Sequence, residues 1–547
     1  MLKKEPMVWM AVAALFFLPF IGNVHLFDWD EINFAEIARE MLISGNYTEP
    51  QINFQPFLEK PPLFFWLQSL AMSVFGVNEF AARLPNAILG ILQLPLLFLL
   101  GKKLRNAAFG RLWALVYFGT VLPHLYFKSG IIDPWFNFFI FSAICLIYFS
   151  LEKGAGERSR YMYSFSGGLL AGLAVLTKGP VALLIVGLSY MIFAFREKNK
   201  ISAYFLPLFG VIAGIFLSFG SWLLVDFLQH GTAFLQAFTQ RQRELLTTED
   251  AGHGGFFLYH FVVLLFGCFP ASSFMIAAIG FRATDRDSVS PFTRLMKILF
   301  WVVLILFSLV QTKIVHYSSL CYFPLTFLAA LYIQERIEQG AALKKWMRVL
   351  LGVTAFPFVL APLLMGWLSS NMDVLKALLR KDAFAVENLE ANIHWSGWEF
   401  LPGVLLLGLM AYFFYTQLKG RIQQSYLALF IGTAFYLQLV LIFFIGRIER
   451  ISQHANIEFW QSKSSEDCYL LPYGYKTYTP YFYGQVKPSS TYVRADSLLN
   501  SQNLSKNLYL SCKVNKRKDL EQRFPDAQFL YNKNGFYFYL RPAAAGE

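Results

Sequence analysis

Long apolar runs recur along almost the whole of this 547-residue chain, and no other feature constrains its fold so strongly. A helix needs about 20 apolar residues to cross the hydrocarbon core of a bilayer, and helices satisfy their backbone polar groups internally. With 56% hydrophobic and 15% charged residues, the chain reads as a polytopic α-helical membrane protein. The apolar runs predict about thirteen spans, near 8–26, 84–101, 107–126, 134–151, 161–176, 180–195, 203–225, 256–280, 297–312, 318–335, 347–368, 400–418 and 424–446. The first follows Met1-Leu-Lys-Lys with no small-residue cleavage site, so it is expected to stay as an anchor.

Every second loop is basic: Lys102 to Arg105, Lys153 to Arg160, Arg196 to Lys200, Arg282 to Arg294, Lys344 to Arg348, and Lys419 to Arg421. By the positive-inside rule these loops and the N-terminus face the cytoplasm. The net charge of +12 is thereby explained as topogenic, and nucleic-acid binding is not expected. The remaining loops then face outward, and the odd number of spans sends the C-terminus out as well. Loop 27–83 is long enough for two juxtamembrane helices, an amphipathic Glu31–Ser44 and a Trp-bearing Pro62–Phe75 ending at Gly76.

Beyond about residue 447 the long apolar runs stop. Apolar segments at Cys468–Leu471, Asn507–Ser511, Gln528–Tyr531 and Phe536–Leu540 read as strands, the last two joined through Asn534-Gly535 as a hairpin. Helical stretches near 494–502 and 517–524 alternate with them. The chain therefore divides into a transmembrane unit, 1–446, and a small outer α/β domain, 447–547. Of the five cysteines, Cys145, Cys268 and Cys321 lie in apolar spans. Cys468 would open one parallel strand and Cys512 close its neighbour, which is too far apart for a disulfide, so both are expected as free thiols.

The groups able to do chemistry collect on the outward side. Asp28, Asp30 and Glu31 follow the first span, and Glu59-Lys60 precede Pro61-Pro62. Lys128 and Asp133 lie in the next outward loop, Lys178 in a Thr-Lys-Gly-Pro turn, His253 and His260 before span 8, and Lys313, His316 and Tyr317 before span 10. Each has a bland alternative: Asp30, Glu31 or Asp133 as a helix cap, Lys60 snorkelling to headgroups, Lys178 as a turn residue, the histidines as structural. Carboxylates and lysines on one face suit an anionic substrate at the membrane boundary. A carboxylate there could take the proton of an attacking hydroxyl while lysines neutralise a departing lipid-linked phosphate. A transporter or flippase of lipid-linked sugars is the alternative, but paired repeats and midplane ionisable groups are not evident.

The segment Asp30-Glu31-Ile-Asn-Phe-Ala-Glu to Gly45, then Glu59-Lys60-Pro61-Pro62, resembles the first outer loop of the GT-C class of bacterial membrane glycosyltransferases. That class includes the lipid A aminoarabinose transferases and relatives of the protein O-mannosyltransferases. Ala81-Ala82-Arg83-Leu84-Pro85, Leu176-Thr177-Lys178-Gly179-Pro180 and Lys313-Ile-Val-His316-Tyr317 extend the similarity to about residue 335. The resemblance implies an inner-membrane enzyme with an outward site, moving a sugar from a polyprenyl-phosphate donor to a lipid, glycan or protein acceptor. It implies Asp30 as the catalytic carboxylate with Glu31 beside it, Asp133 as a second essential acid, and Lys60, Lys178, Lys313 and Tyr317 toward the donor phosphate. Glu59 and His253 fall where the class can place metal ligands. A divalent metal is compatible with the sequence and not required by it. The chain departs from the pattern at Asn33, where many relatives carry Arg.

Overall fold

The computed structural model describes residues 4–152, 156–197, 205–247, 254–279, 290–488, 495–501 and 503–544. His253 and much of the basic loops at 153–160, 196–200 and 282–294 lie outside the described residues.

Helices form wherever apolar runs were expected to cross. They begin with α1 (Glu5–Phe17), α2 (Asp30–Ser44), α3 (Leu63–Phe75), α4 (Glu79–Leu104) and α5 (Ala107–Phe118). The short α6 (Val121–Tyr126) then leads to α7 (Asp133–Ser150), α8 (Glu157–Thr177) and α9 (Val181–Glu197). Among the described residues seven helices are long and apolar enough to cross a membrane, or eight if one bent pair counts as a single span. That pair departs from the expectation of one straight span over 256–280. Tyr259–Gly267 and Ala271–Ile279 meet at 119°, with Pro270 between them unable to continue the backbone hydrogen bonding of a helix.

Close crossings are built from small residues. Gly168 on α8 faces Val211 of helix Phe205–Ile215, and Gly214 of that helix faces the Phe165 carbonyl. A methyl at either position would overlap backbone. Without water to drive apolar groups together, such backbone approach is what holds membrane helices against each other.

The two helices expected over Glu31–Ser44 and Pro62–Phe75 form as α2 and α3. Gly45 (φ 70°) and Gly76 (φ 81°) end them in the left-handed conformations that glycine tolerates. The polar side of α2, however, is not turned to water. Glu36, Arg39 and Glu40 are all buried. Arg39 Nη2 donates to Glu36 Oε1 at 2.7 Å and to the Val486 carbonyl at 2.8 Å, and Glu40 accepts the backbone N–H groups of Asn53 and Phe54 at 2.5 and 2.7 Å. Asn53 and Phe54 are the positive-φ turn of a hairpin between β1 (Gln51–Ile52) and β2 (Gln55–Pro56).

The C-terminal segment supplies the cover. Strands β3 (Tyr469–Tyr473), β4 (Leu508–Lys513), β5 (Gln528–Lys533) and β6 (Phe536–Arg541) form one sheet in the order β3-β4-β6-β5. The β3–β4 pair is parallel with Tyr473 opposite Cys512, so Cys468 and Cys512 stand at opposite ends, and all five cysteines are free. Asn534 and Gly535, both with positive φ, turn β5 into β6. Alternation divides β6: Phe536 and Phe538 pack with Phe459, Trp460 and the α2 residues Ile32, Ala35 and Ala38, while Tyr537 and Tyr539 pack with Leu520 and Phe524. The sheet thus sits on the helix that carries Asp30.

If the α8 crossing holds the bundle, Gly168→Val should destabilise it by roughly 1–3 kcal/mol through overpacking. A lowered thermal midpoint of the detergent-solubilised protein would register this, whereas Gly187→Val, at a glycine with open space beside it, should leave the midpoint unchanged.

Candidate active site

The first turn of α2 carries two adjacent acids, where the helix dipole favours negative charge, and their side chains go separate ways. Glu31 turns inward. Its carboxylate takes Arg83 from α4 in a two-pronged pair, Nη2–Oε2 at 2.7 Å and Nε–Oε1 at 3.0 Å. It also accepts the N–H groups of Phe27 (2.9 Å) and Gly130 (2.5 Å). The other Arg83 donors go to the carbonyls of Ile21, Val24 and His25. Burial alone would raise the Glu31 pKa, but the Arg83 charge and hydrogen bonds hold it below the usual glutamate range. Glu31 was expected beside Asp30 in the chemistry. With both oxygens engaged in a buried pair, it instead joins span 1, α2, α4 and the loop before α7.

Asp30 turns outward and keeps a partly exposed carboxylate. His316 Nε2 lies 3.2 Å from its Oδ2. Burial pushes its pKa up, but the hydrogen bond and charge of His316, with Lys178 and Lys60 behind them, outweigh this and set it below the usual aspartate range. Lys178, in the turn after α8, lies 2.5 Å from Asp133 Oδ1 and packs over the Tyr317 ring at 5.1 Å. Asp133 is buried at the start of α7. Lys60 sits within the field of the same charges. Burial and the neighbouring Lys178 pull its pKa down, against Glu59 and Asp30, which raise it. Asp30, His316, Lys178, Asp133, Tyr317 and Lys60 therefore converge from five separated stretches of chain.

Three residues lie elsewhere. Lys313 donates to the carbonyls of Ser308 (2.7 Å), Phe307 (3.4 Å) and Val310, capping the exposed carbonyls that end helix Ser290–Leu309. Its ammonium is committed there and not to the Asp30 cluster. Glu59 faces Arg241 of helix Ala233–Thr247, 3.3 Å away. A cation already beside it makes Glu59 a poor metal ligand in this arrangement, and its expected partner His253 is among the undescribed residues. Asn33 is buried, and its Oδ1 has no hydrogen-bond partner among the described residues. It supplies no charge, so Lys60 and Lys178 are left as the cations around Asp30.

The sequence reading missed Arg241, which is masked by the surrounding polar run Thr239-Gln-Arg-Gln-Arg. It also gave no role to the segment that clasps Asp28. Tyr478 N donates to Asp28 Oδ1 at 3.3 Å, and Asp28 N donates to Gln453 Oε1 at 3.3 Å. Burial raises the Asp28 pKa to about 6, so this neighbouring acid is far less anionic than Asp30.

A helical scaffold with helix-borne acids at a loop and lysines in the turns around them is the arrangement that the resemblance to the GT-C class implies. More particularly, the chain is similar to the undecaprenyl phosphate-α-4-amino-4-deoxy-L-arabinose arabinosyl transferases. It is 28% identical to that of Edwardsiella ictaluri over 368 residues, 65% of each chain. It is 26% identical to that of Pseudomonas paraeruginosa over 337 residues, 60% of this chain and 59% of the other. It thus spans less than two thirds of the length of these curated relatives. Residues 59–222, which include Lys60, Arg83, Asp133 and Lys178, match the dolichyl-phosphate-mannose-protein mannosyltransferase family. The fold superposes on crystal structures of ArnT from Cupriavidus metallidurans, bound to undecaprenyl phosphate (TM-score 0.79) and apo (0.76). Identity is 17% and 15%, with 99% of both chains covered in each case.

Removing one partner of a buried ion pair leaves the other charge stranded, at a cost of about 3–5 kcal/mol. Arg83→Ala should therefore lower the thermal midpoint sharply. Arg111→Ala, which breaks only the exposed pair with Glu5, should cost no more than about 1 kcal/mol in the same assay.

Proposed function

We propose that this chain transfers a sugar from a polyprenyl-phosphate donor to a hydroxyl of an acceptor at the outer face of the bacterial inner membrane. Similarity to the arabinosyl transferases favours a lipid acceptor over a glycan or a protein. On this reading the membrane is crossed about thirteen times, and residues 447–547 form an α/β domain on the periplasmic side. The observation that carries the proposal is the meeting of one low-pKa carboxylate, Asp30, with His316 at 3.2 Å and with the cations Lys178, in the turn after α8, and Lys60, in the loop before α3.

The chemistry follows from that set. Asp30, held ionised by His316 and the lysines, accepts the proton of the acceptor hydroxyl as its oxygen attacks the anomeric carbon. The bond from that carbon to the phosphate oxygen breaks, with inversion, and the electron pair leaves on the phosphate. Lys60 and Lys178 stand where this negative charge grows and stabilise it more in the transition state than in the donor. Asp133 orients Lys178 through their 2.5 Å contact. No step is assigned to a metal, because Glu59 is already paired with Arg241.

A place for the donor's tail is at hand. An apolar groove of about 430 Å³ runs between α9 and helix Ser290–Leu309, from Leu309 through Ile305 and Trp301 to Arg196. On α9 the groove starts at Leu188, about two to three turns beyond Lys178, and on the other helix it ends at Leu309, shortly before Lys313. A polyprenyl chain would bury apolar surface along it at about 25 cal/mol per Å².

In a purified system, Asp30→Asn should cut sugar transfer by at least about 10²-fold while leaving undecaprenyl phosphate binding intact. Unchanged transfer in that variant would sink the proposal. Release of free polyprenyl phosphate from the donor separates a transferase from a flippase, which leaves the donor whole.

The pH profile gives an independent check. A carboxylate with a lowered pKa stays active until the pH falls through that lowered value. His316→Leu removes both the hydrogen bond, the largest lowering influence on Asp30, and the charge, and lets burial raise its pKa. The acid limb of the transfer rate should therefore move to higher pH in His316→Leu, with the alkaline limb unmoved.

A further inference from the structure

His25 lies in the loop between α1 and α2, and Glu449 and His454 lie more than 420 positions later, yet their side chains meet. His25 Nδ1 is 2.8 Å and His454 Nδ1 3.2 Å from the same oxygen, Glu449 Oε1. Glu449 comes from helix Gly446–Ser452 and His454 from helix His454–Ser462, with the chain breaking between them at Gln453. Glu449 is only 5% exposed, whereas the histidines are partly exposed. The trio lines a cavity of about 380 Å³ whose wall also carries Glu79 and His394. The cations in the same wall are Arg447, paired with Glu399 at 2.7 Å, and Arg450.

Two imidazole nitrogens and one carboxylate oxygen are a ligand set for a borderline divalent transition metal, not for Ca²⁺ or Mg²⁺, which take oxygen ligands. Ligand atoms of a tetrahedral site with bonds of 2.0–2.1 Å stand about 3.3 Å apart. The three atoms here lie within 4.8 Å of one another, and two of the separations are near that value. A fourth position would open into the cavity. A simple pair of hydrogen bonds needs no such convergence of both rings on one oxygen from elements so far apart in sequence.

We propose that His25, Glu449 and His454 bind a divalent transition metal, with Zn²⁺ the ion this set fits, and that the metal fastens the start of the Asp30 loop to the C-terminal segment. The six residues from His25 to Asp30 are already held from that side. Leu26 N donates to Tyr483 Oη at 2.7 Å, and Gln453 Nε2 donates to the Leu26 carbonyl at 2.7 Å. A metal at His25 would anchor the base of this clasp and position the loop without touching the reacting atoms. The site is separate from Glu59 and His253, and the proposal stands whether or not the chain transfers sugar.

The full-length protein in detergent, stripped with a chelator and reloaded with Zn²⁺, provides the test. Wild type should retain one ion per chain that Glu449→Gln and His454→Gln both lack, and that Glu59→Gln keeps. Glu449→Gln preserves side-chain shape and hydrogen bonding, so loss of metal there is not loss of fold. Zn²⁺ should raise the thermal midpoint of wild type and not of Glu449→Gln, and Co²⁺ in its place should give the intense visible bands of a tetrahedral site in wild type alone. Equal metal content in wild type and Glu449→Gln, or loss of the ion only in Glu59→Gln, would overturn the proposal.

Discussion

The pair between Glu31 and Arg83 is the interaction around which the outer face is organised. Arg83 spends its donors on one carboxylate and on three carbonyls at the end of span 1, and Glu31 accepts two backbone N–H groups from neighbouring loops. Two buried charges would be costly to desolvate, and the geometry repays this because most of their hydrogen-bonding capacity is used. The loop from Phe27 to α2 is thereby held to α4 and to Gly130. Asp30 inherits its position from its neighbour. One acid of the adjacent pair is consumed in building the site, and that leaves the other free to face outward.

Charge balance decides what Asp30 can do. Alone in a partly buried pocket a carboxylate would drift toward neutrality, as Asp28 does two residues earlier. The difference between them is the company each keeps. Asp28 is met by dipoles from the 477–478 segment and by one lysine, Lys513, against the charge of Asp30, whereas Asp30 is met by His316 and two lysines. The same lysines resist crowding because Asp133 and Glu59 stand near them. The result is a cluster in which carboxylates and cations offset one another. This also explains why Glu59, with Arg241 beside it, is a weak candidate for holding a metal.

Much of this was legible in the sequence, and the parts that were not share a cause. Local signals survived: Gly45 and Gly76 end the juxtamembrane helices, Asn534-Gly535 turns the hairpin, and the apolar runs become helices. The Lys178–Asp133 and His316–Asp30 contacts join residues that the sequence had placed on one face without saying how they pair. Lys313 was misjudged because its partners are the last carbonyls of a helix whose end the apolar pattern blurred. The partners that bury the polar side of α2, Val486 and the Asn53–Phe54 turn, leave no periodic trace in the helix itself. Arg241 and the His25–Glu449–His454 group escaped for the same reason: periodicity reports what a helix hides, not which distant segment it hides it with.

That cover has a mechanical consequence. A carboxylate on the first turn of a helix moves with any tilt of that helix, and α2 is a juxtamembrane element with a loop at each end. Its apolar side is packed on α3 and α4, but its polar side would be free to rock if Glu36, Arg39 and Glu40 were only hydrated. Instead the β1–β2 turn and Val486 bind those groups, and Phe538 and Trp460 lie against the adjoining surface. The C-terminal sheet therefore acts on Asp30 through α2, by restricting where its first turn can point. A C-terminal segment that supplies none of the carboxylates or lysines described in the charge cluster still sets the distance between Asp30 and the lysines.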